Sequence, residues 1–148
     1  MKHLIFSVLA VLSTLACSST SSDCELAPEL RQRAGASFSD CGHAALGSNA
    51  QPVDQCVVTA FNAKQPFFAR YDRMGTDSQV IFGVAGDANG NVTFLTWDSD
   101  PSGGSGAGPV ISASTCVAPS VDDSPGRDAF TSPPLRCESV SESGRVCG

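Results

Sequence analysis

Positive charge is scarce in this 148-residue chain: 9 Lys and Arg stand against 15 Asp and Glu, a formal net charge of -6. Lys2 and Lys64 are the only lysines. An acidic surface of this kind repels phosphate backbones, so neither nucleic acid nor an anionic membrane surface is an expected partner. Missing too is a hydrophobic run long enough to cross a bilayer, which takes about 20 residues. The longest runs from Leu4 to Ala16, about 13 residues, which is the length of a signal-peptide core. Lys2 supplies the basic residue ahead of it. Histidine is reduced to His3 and His43, and no Cys-x-x-Cys spacing occurs, so neither a zinc knuckle nor a thioredoxin-like redox pair is indicated. There is no Gly-rich phosphate loop, nucleophile elbow or His-Glu-x-x-His. With no convergent set of titratable groups, the chain reads as non-enzymatic, with no cofactor.

What is plentiful is cysteine. Seven are present, an odd number for an exported protein, so one needs a separate role. Cys17 directly follows the apolar run, and Thr14-Leu15-Ala16-Cys17 resembles the lipobox of bacterial lipoproteins. That resemblance implies cleavage after Ala16 and acylation of Cys17, and Ser18 beside it implies retention at an outer membrane. Small residues at Thr14 and Ala16 also suit an ordinary signal peptidase, so plain secretion to the periplasm or beyond stays open. Removing residues 1–16 takes away Lys2 and moves the balance from -6 to -7. Six cysteines are then left for three disulfides: Cys24, Cys41, Cys56, Cys116, Cys137 and Cys147. Spacing alone does not say which pairs with which.

Four regions follow: a signal peptide (1–16), a lipid tether and N-terminal segment (17–40), an α+β domain (41–116), and a Ser/Pro-rich, disulfide-tied tail (117–148). Residues 18–23 are a solvated linker, and Glu25 to Arg33 has the makings of a short helix. Val53, Cys56, Val57, Ala60 and Phe61 mark one buried helical face, predicting a helix over 52–64 with Pro52 in its first turn and Asp54 near its positive end. The turn Gly75-Thr76-Asp77-Ser78 pairs Tyr71 with Phe82 and Ala69 with Val84. A two-residue turn at Asn89-Gly90 pairs Val84 with Leu95 and Phe82 with Trp97. Both registers send apolar residues to one face: Phe67, Ala69, Tyr71, Val80, Phe82, Val84, Leu95 and Trp97. A fourth strand is predicted near 109–115. The fold class is therefore α+β, one helix packed on a three- to four-stranded antiparallel meander and stapled by disulfides. Phe68, Ile81 and Phe94 remain on the outer face, where the N-terminal segment or the tail can cover them.

Few residues invite a chemical role. Cys41 and His43 could form a nucleophile and base only if Cys41 were a free thiolate, which an oxidising compartment opposes. Asp98 and Asp100, and separately Asp87, Asn89 and Asn91, are oxygen-rich, but neither group has EF-hand spacing, so no metal is expected. The long loop that Asp98, Asp100 and Ser102 open is the candidate contact surface. Gln79-Val80-Ile81-Phe82-Gly83 resembles the Gln-x-Val-x-Gly hairpin of cystatins, which implies inhibition of secreted cysteine proteases; the Pro-Trp pair of the second cystatin loop has no counterpart, since Thr96 precedes Trp97. Over residues 41–116, the helix with Cys56, the Gly75–Ser78 turn, the Asp98–Gly104 stretch and Cys116 are similar to a group of small exported bacterial proteins of uncharacterised function. The reading that follows is a cell-envelope lipoprotein, anchored in the membrane through Cys17, whose loops or sheet edge bind a protein or glycan. A cystatin-like inhibitor is the alternative.

Overall fold

The computed structural model describes residues 24–104, 108–124 and 132–147; the signal-like segment, Cys17 and the linker 18–23 lie outside them. Along the chain run α1 (Leu26–Ala34), β1 (Ser39–Ala44), α2 (Gln51–Asn62), β2 (Phe67–Arg73), β3 (Val80–Gly86), β4 (Val92–Asp98), β5 (Val110–Val117), β6 (Ser120–Val121), β7 (Leu135–Arg136) and β8 (Ser139–Cys147). Six strands make one sheet in the order β1-β2-β3-β4-β5-β8, while β6 and β7 pair with each other. Every neighbour in the large sheet is antiparallel except β1 and β2, which run parallel. A tight turn cannot join parallel strands, and α2 supplies the crossover.

Leu26, Leu30 and Ala34 recur every fourth residue and form the buried stripe of α1. Glu29 lies in its first turn and Arg31 and Arg33 in its last, matching the helix dipole. Gly35, at φ 85°, ends it by turning its N–H back to the Arg31 carbonyl. In α2, Val53, Val57 and Ala60 are buried and Pro52 sits in the first turn. Lys64 at φ 52° takes the left-handed conformation that closes this helix, which stops two residues short of the predicted 64.

The β2–β3 register is as the turn predicts, with Tyr71 opposite Phe82 and Ala69 opposite Val84. The β3–β4 register differs by one residue: Val84 faces Phe94, and Gly83 faces Leu95. The cause is the turn type. Asp87 accepts from Gly90 N–H and pairs with Asn91, so the loop has three residues, with Gly90 alone at positive φ. A type I turn followed by a left-handed glycine replaces the two-residue turn. One extra residue flips every side chain of β4 to the other face. Leu95 and Trp97 therefore leave the face to which the sequence assigned them, and Val92 and Phe94 take their place.

Both faces of the sheet are covered, which corrects the expectation of one helix on three to four strands. On one side Val53, Val57 and Ala60 of α2 pack with Ala44, Phe67, Ala69, Tyr71, Val84 and Val92, and Leu135 from the small hairpin joins them. The buried Tyr71 hydroxyl donates to Asp54 of α2 at 3.0 Å. On the other side Leu26, Leu30 and Ala34 of α1 pack with Phe68, Ala85, Leu95, Ile111 and Ala113. Strands buried on both faces carry near-continuous apolar runs, which is why Phe67-Phe68-Ala69 and Val84-Ala85 do not alternate with polar residues. The sheet also reaches past 41–116: β1 begins at Ser39, and β8 comes from the Ser-rich tail. All six described cysteines are bonded, as Cys24–Cys147, Cys41–Cys56 and Cys116–Cys137.

The contact of α1 with the sheet is close. A Cβ on Gly83 would stand 2.8 Å from Leu30 Cδ2, and Leu30 is wholly buried, with no room to swing away. Leu30→Ala is expected to cost about 2–5 kcal/mol, and Gly83→Ala about 1–3 kcal/mol by overpacking. In denaturant unfolding the double variant should lose less than the sum, because deleting the branch makes space for the new methyl. Strict additivity would mean that α1 does not seat on Gly83. The disulfides should also differ in worth. Cys24–Cys147 closes 123 residues and Cys41–Cys56 only 15. Loss of the first pair to serine is expected to lower stability by about 5 kcal/mol and loss of the second by about 3 kcal/mol, a ranking that melting of the two double variants reads directly.

Candidate functional site

Asp98 and Asp100 do come together at the end of β4, but as builders of the loop. Asp98 Oδ1 accepts the Asp100 N–H at 3.0 Å, and Asp100 Oδ2 accepts the Gly104 N–H at 2.6 Å. Ser99 fastens the loop to the start of β3, accepting from Gln79 N–H and donating its own N–H to the Gln79 carbonyl. Both aspartates are half-buried, while Pro101, Ser102, Gly103 and Gly104 are exposed. The exposed part of this loop is thus the Pro101–Gly104 crest rather than the carboxylates. Among the described residues, no group of three His, Cys, Asp or Glu side chains is placed to hold a metal ion.

Cys41 is bonded to Cys56 of α2 and has no thiolate to offer His43. His43 Nε2 instead lies 2.7 Å from Asp72 Oδ1, and Asp72 Oδ2 accepts the Leu46 N–H, so the pair pins the loop between β1 and α2 onto β2. Gln79-Val80-Ile81-Phe82-Gly83 leads into and runs along β3, hydrogen-bonded between β2 and β4 from Val80 onward. A segment in that position has no free hairpin tip to insert into a protease cleft.

A concave feature of mixed chemistry lies where α1 begins. Cys24, Glu25, Leu26 and Ala27 face Arg70 of β2, Ile81 of β3 and Trp97 of β4 across a cleft of about 300 Å³. Its walls are fixed. The Trp97 indole N–H donates to the Cys24 carbonyl at 2.9 Å, and Cys24 is tied to Cys147 on β8. Arg70 lies 6.0 Å over the Phe68 ring, and its Nη2 is 3.9 Å from Asp40 Oδ2. Its Nε is buried with no hydrogen-bond partner. Sequence reading missed this site for two reasons: its residues are scattered along the chain, and the one-residue register error sent Trp97 to the opposite face.

Asp87 is the hub of the β3–β4 hairpin. Its carboxylate accepts the N–H groups of Asn89 and Asn91 at 2.9 Å each, and the Asn91 amide at 2.8 Å. Partial burial pushes this carboxyl up, but the hydrogen bonds from Asn91 and then Asn89 outweigh it and hold it below the ordinary 3.8. A depressed folded value stabilises the fold at pH above the unfolded value, and that contribution drains away as pH falls through the folded one. Asp87→Ala is therefore expected to cost about 1 kcal/mol at neutral pH, with the gap between variant and wild type narrowing in unfolding curves as pH falls below the ordinary carboxylate range. A gap independent of pH would show that the charge contributes nothing. No family model matches this chain, and neither the curated proteins nor the solved structures yield a match to it.

Proposed function

We propose that this chain is a non-enzymatic binding module of the bacterial cell envelope, exported by its apolar N-terminal segment and lipid-anchored through Cys17. The observation that carries the reading is the cysteine balance. Six cysteines close as three pairs, which leaves Cys17, beside the signal-like run, as the one cysteine of seven without a described partner. Stable pairing of this kind belongs to an oxidising compartment, and acylation gives the odd cysteine a use. Binding rather than catalysis is favoured because the titratable groups that sequence singles out serve the fold: His43 with Asp72, Asp87 in its hairpin, Asp98 and Asp100 in their loop. The partner is a protein or glycan of the envelope, met by the Pro101–Gly104 crest.

Two substitutions test the two halves of this reading. Cys17→Ser should leave unprocessed precursor or release soluble protein, followed by fractionation and immunoblotting; unchanged processing and membrane association would sink the anchor. Ser102→Arg, on the exposed crest, should leave the melting temperature within about 2 °C, since isolated surface changes rarely exceed about 0.5 kcal/mol. It should also remove whatever co-purifies in fixed proportion with the wild-type protein from intact envelopes. Equal recovery with both forms moves the contact elsewhere.

A further inference from the structure

We propose that the cleft at the start of α1 binds a carboxylate carried on an apolar body, with Arg70 as its anchor. This deepens the binding-module reading and rests on it for the existence of a ligand, but it names a different surface from the Pro101–Gly104 crest. Three observations converge. First, Leu26, Ala27, Ile81 and the Trp97 ring give an apolar lining, and Arg70 is the one cation among the described residues that line it. Second, the guanidinium is under-used. Its contact with Asp40 is a long 3.9 Å, and its Nε is buried and unpaired. A buried N–H without a partner is destabilising, and a small turn of the guanidinium toward the cleft would let a carboxylate pair with Nε and one Nη in the two-bond geometry that arginine favours. Third, the site is set in advance: the indole is held to Cys24, Cys24 to Cys147, and Arg70 lies over Phe68. Little ordering is left to oppose binding.

The surroundings also select among anions. Glu25 lines the cleft and Asp40 stands beside Arg70, so a multiply charged phosphate meets more repulsion than a single carboxylate. A volume of about 300 Å³ is at the small end for ligand sites. It fits a small apolar acid or the last residue of a peptide with a free C-terminus.

Trp97 is the only tryptophan in the chain and forms part of the wall, so its fluorescence reports occupancy. The full-length oxidised protein would be titrated with 3-phenylpropanoate and with its amide, and with Gly-Gly-Phe bearing a free or amidated terminus. A saturable emission change is expected with the acids and binding at least tenfold weaker with the amides. A response to phenylpropanoate alone identifies a small acid as the ligand source, and a response to the free peptide identifies a chain terminus. Arg70→Gln should abolish the response and Arg70→Lys weaken it about tenfold, while Arg73→Gln, beside Phe82 on the opposite face, should leave it unchanged. The inference is overturned if amides bind as well as acids, if inorganic phosphate displaces the acid at equal concentration, if Arg70→Gln still binds, or if no acid binds at all. The acid–amide comparison needs no variant, so a poorly folded Arg70→Gln does not blunt it. Loss of this site would leave a partner recruited through Ser102 untouched.

Discussion

The sheet has to be covered on both faces, and the pieces available to cover it are too short to hold themselves in place. β2 and β3 point large apolar side chains in both directions, Phe67 and Phe68 being neighbours that are each buried on opposite sides. One cover is α1, of nine residues, below the length of about 12–15 at which isolated helices become marginal in water. It is helical because of where it sits. Leu30 seats over Gly83, the carbonyl of Cys24 takes the Trp97 N–H, and the sulfur of Cys24 is tied to β8. Each disulfide repeats that logic, fastening a cover or its entrance to the sheet: Cys24 to β8, α2 to β1 through Cys56–Cys41, and the β6–β7 region to β5 through Cys137–Cys116. Sulfur here replaces the interface area that longer helices would have provided.

The same shortfall explains where a cleft arises. Nine helical residues span about 13 Å, whereas six strands side by side span about 24 Å. α1 meets β2, β3 and β4, and the sheet beside its first turn is left with Arg70, Ile81 and Trp97 lining an open hollow. No binding function is needed to account for the hollow itself. The feature that packing does not account for is Arg70, whose Nε is buried without a partner.

What the sequence made legible was local. The α2 periodicity, the strands and the β2–β3 register follow from side-chain spacing and from one turn whose residues admit one reading. Asn89-Gly90 admits two, because a glycine in the left-handed conformation serves both a two-residue turn and the three-residue loop found here. Asp87 decides between them by accepting from Asn89 and Asn91. That single residue of slip was enough to exchange Leu95 and Trp97 for Val92 and Phe94 and to hide the cleft. The parallel β1, the place of β8 and the disulfide partners were out of reach for a different reason. They depend on contacts between segments that no tight turn links, from Cys41 with Cys56 to Cys24 with Cys147 at the extreme. The unassigned outward-facing Phe68 and Ile81 were the one local sign that a second cover existed, and α1 is that cover.

The two edges of the sheet bear on how such a module would meet a partner. Addition of a strand needs a flat row of evenly spaced donors and acceptors. β1, at one edge, breaks register between Asp40 and His43 and is tied to α2 through Cys41. β8, at the other, breaks register twice against β5 and bends at Gly144, whose φ is 87°, with Glu142 and Arg145 exposed beside it. Bulges and charge are the means by which natural sheets discourage edge-to-edge pairing. Of the two contact modes open to the chain, extension of the sheet is therefore the disfavoured one. Recognition through side chains, at the loop crest or in the Arg70 cleft, is the mode that the backbone leaves available.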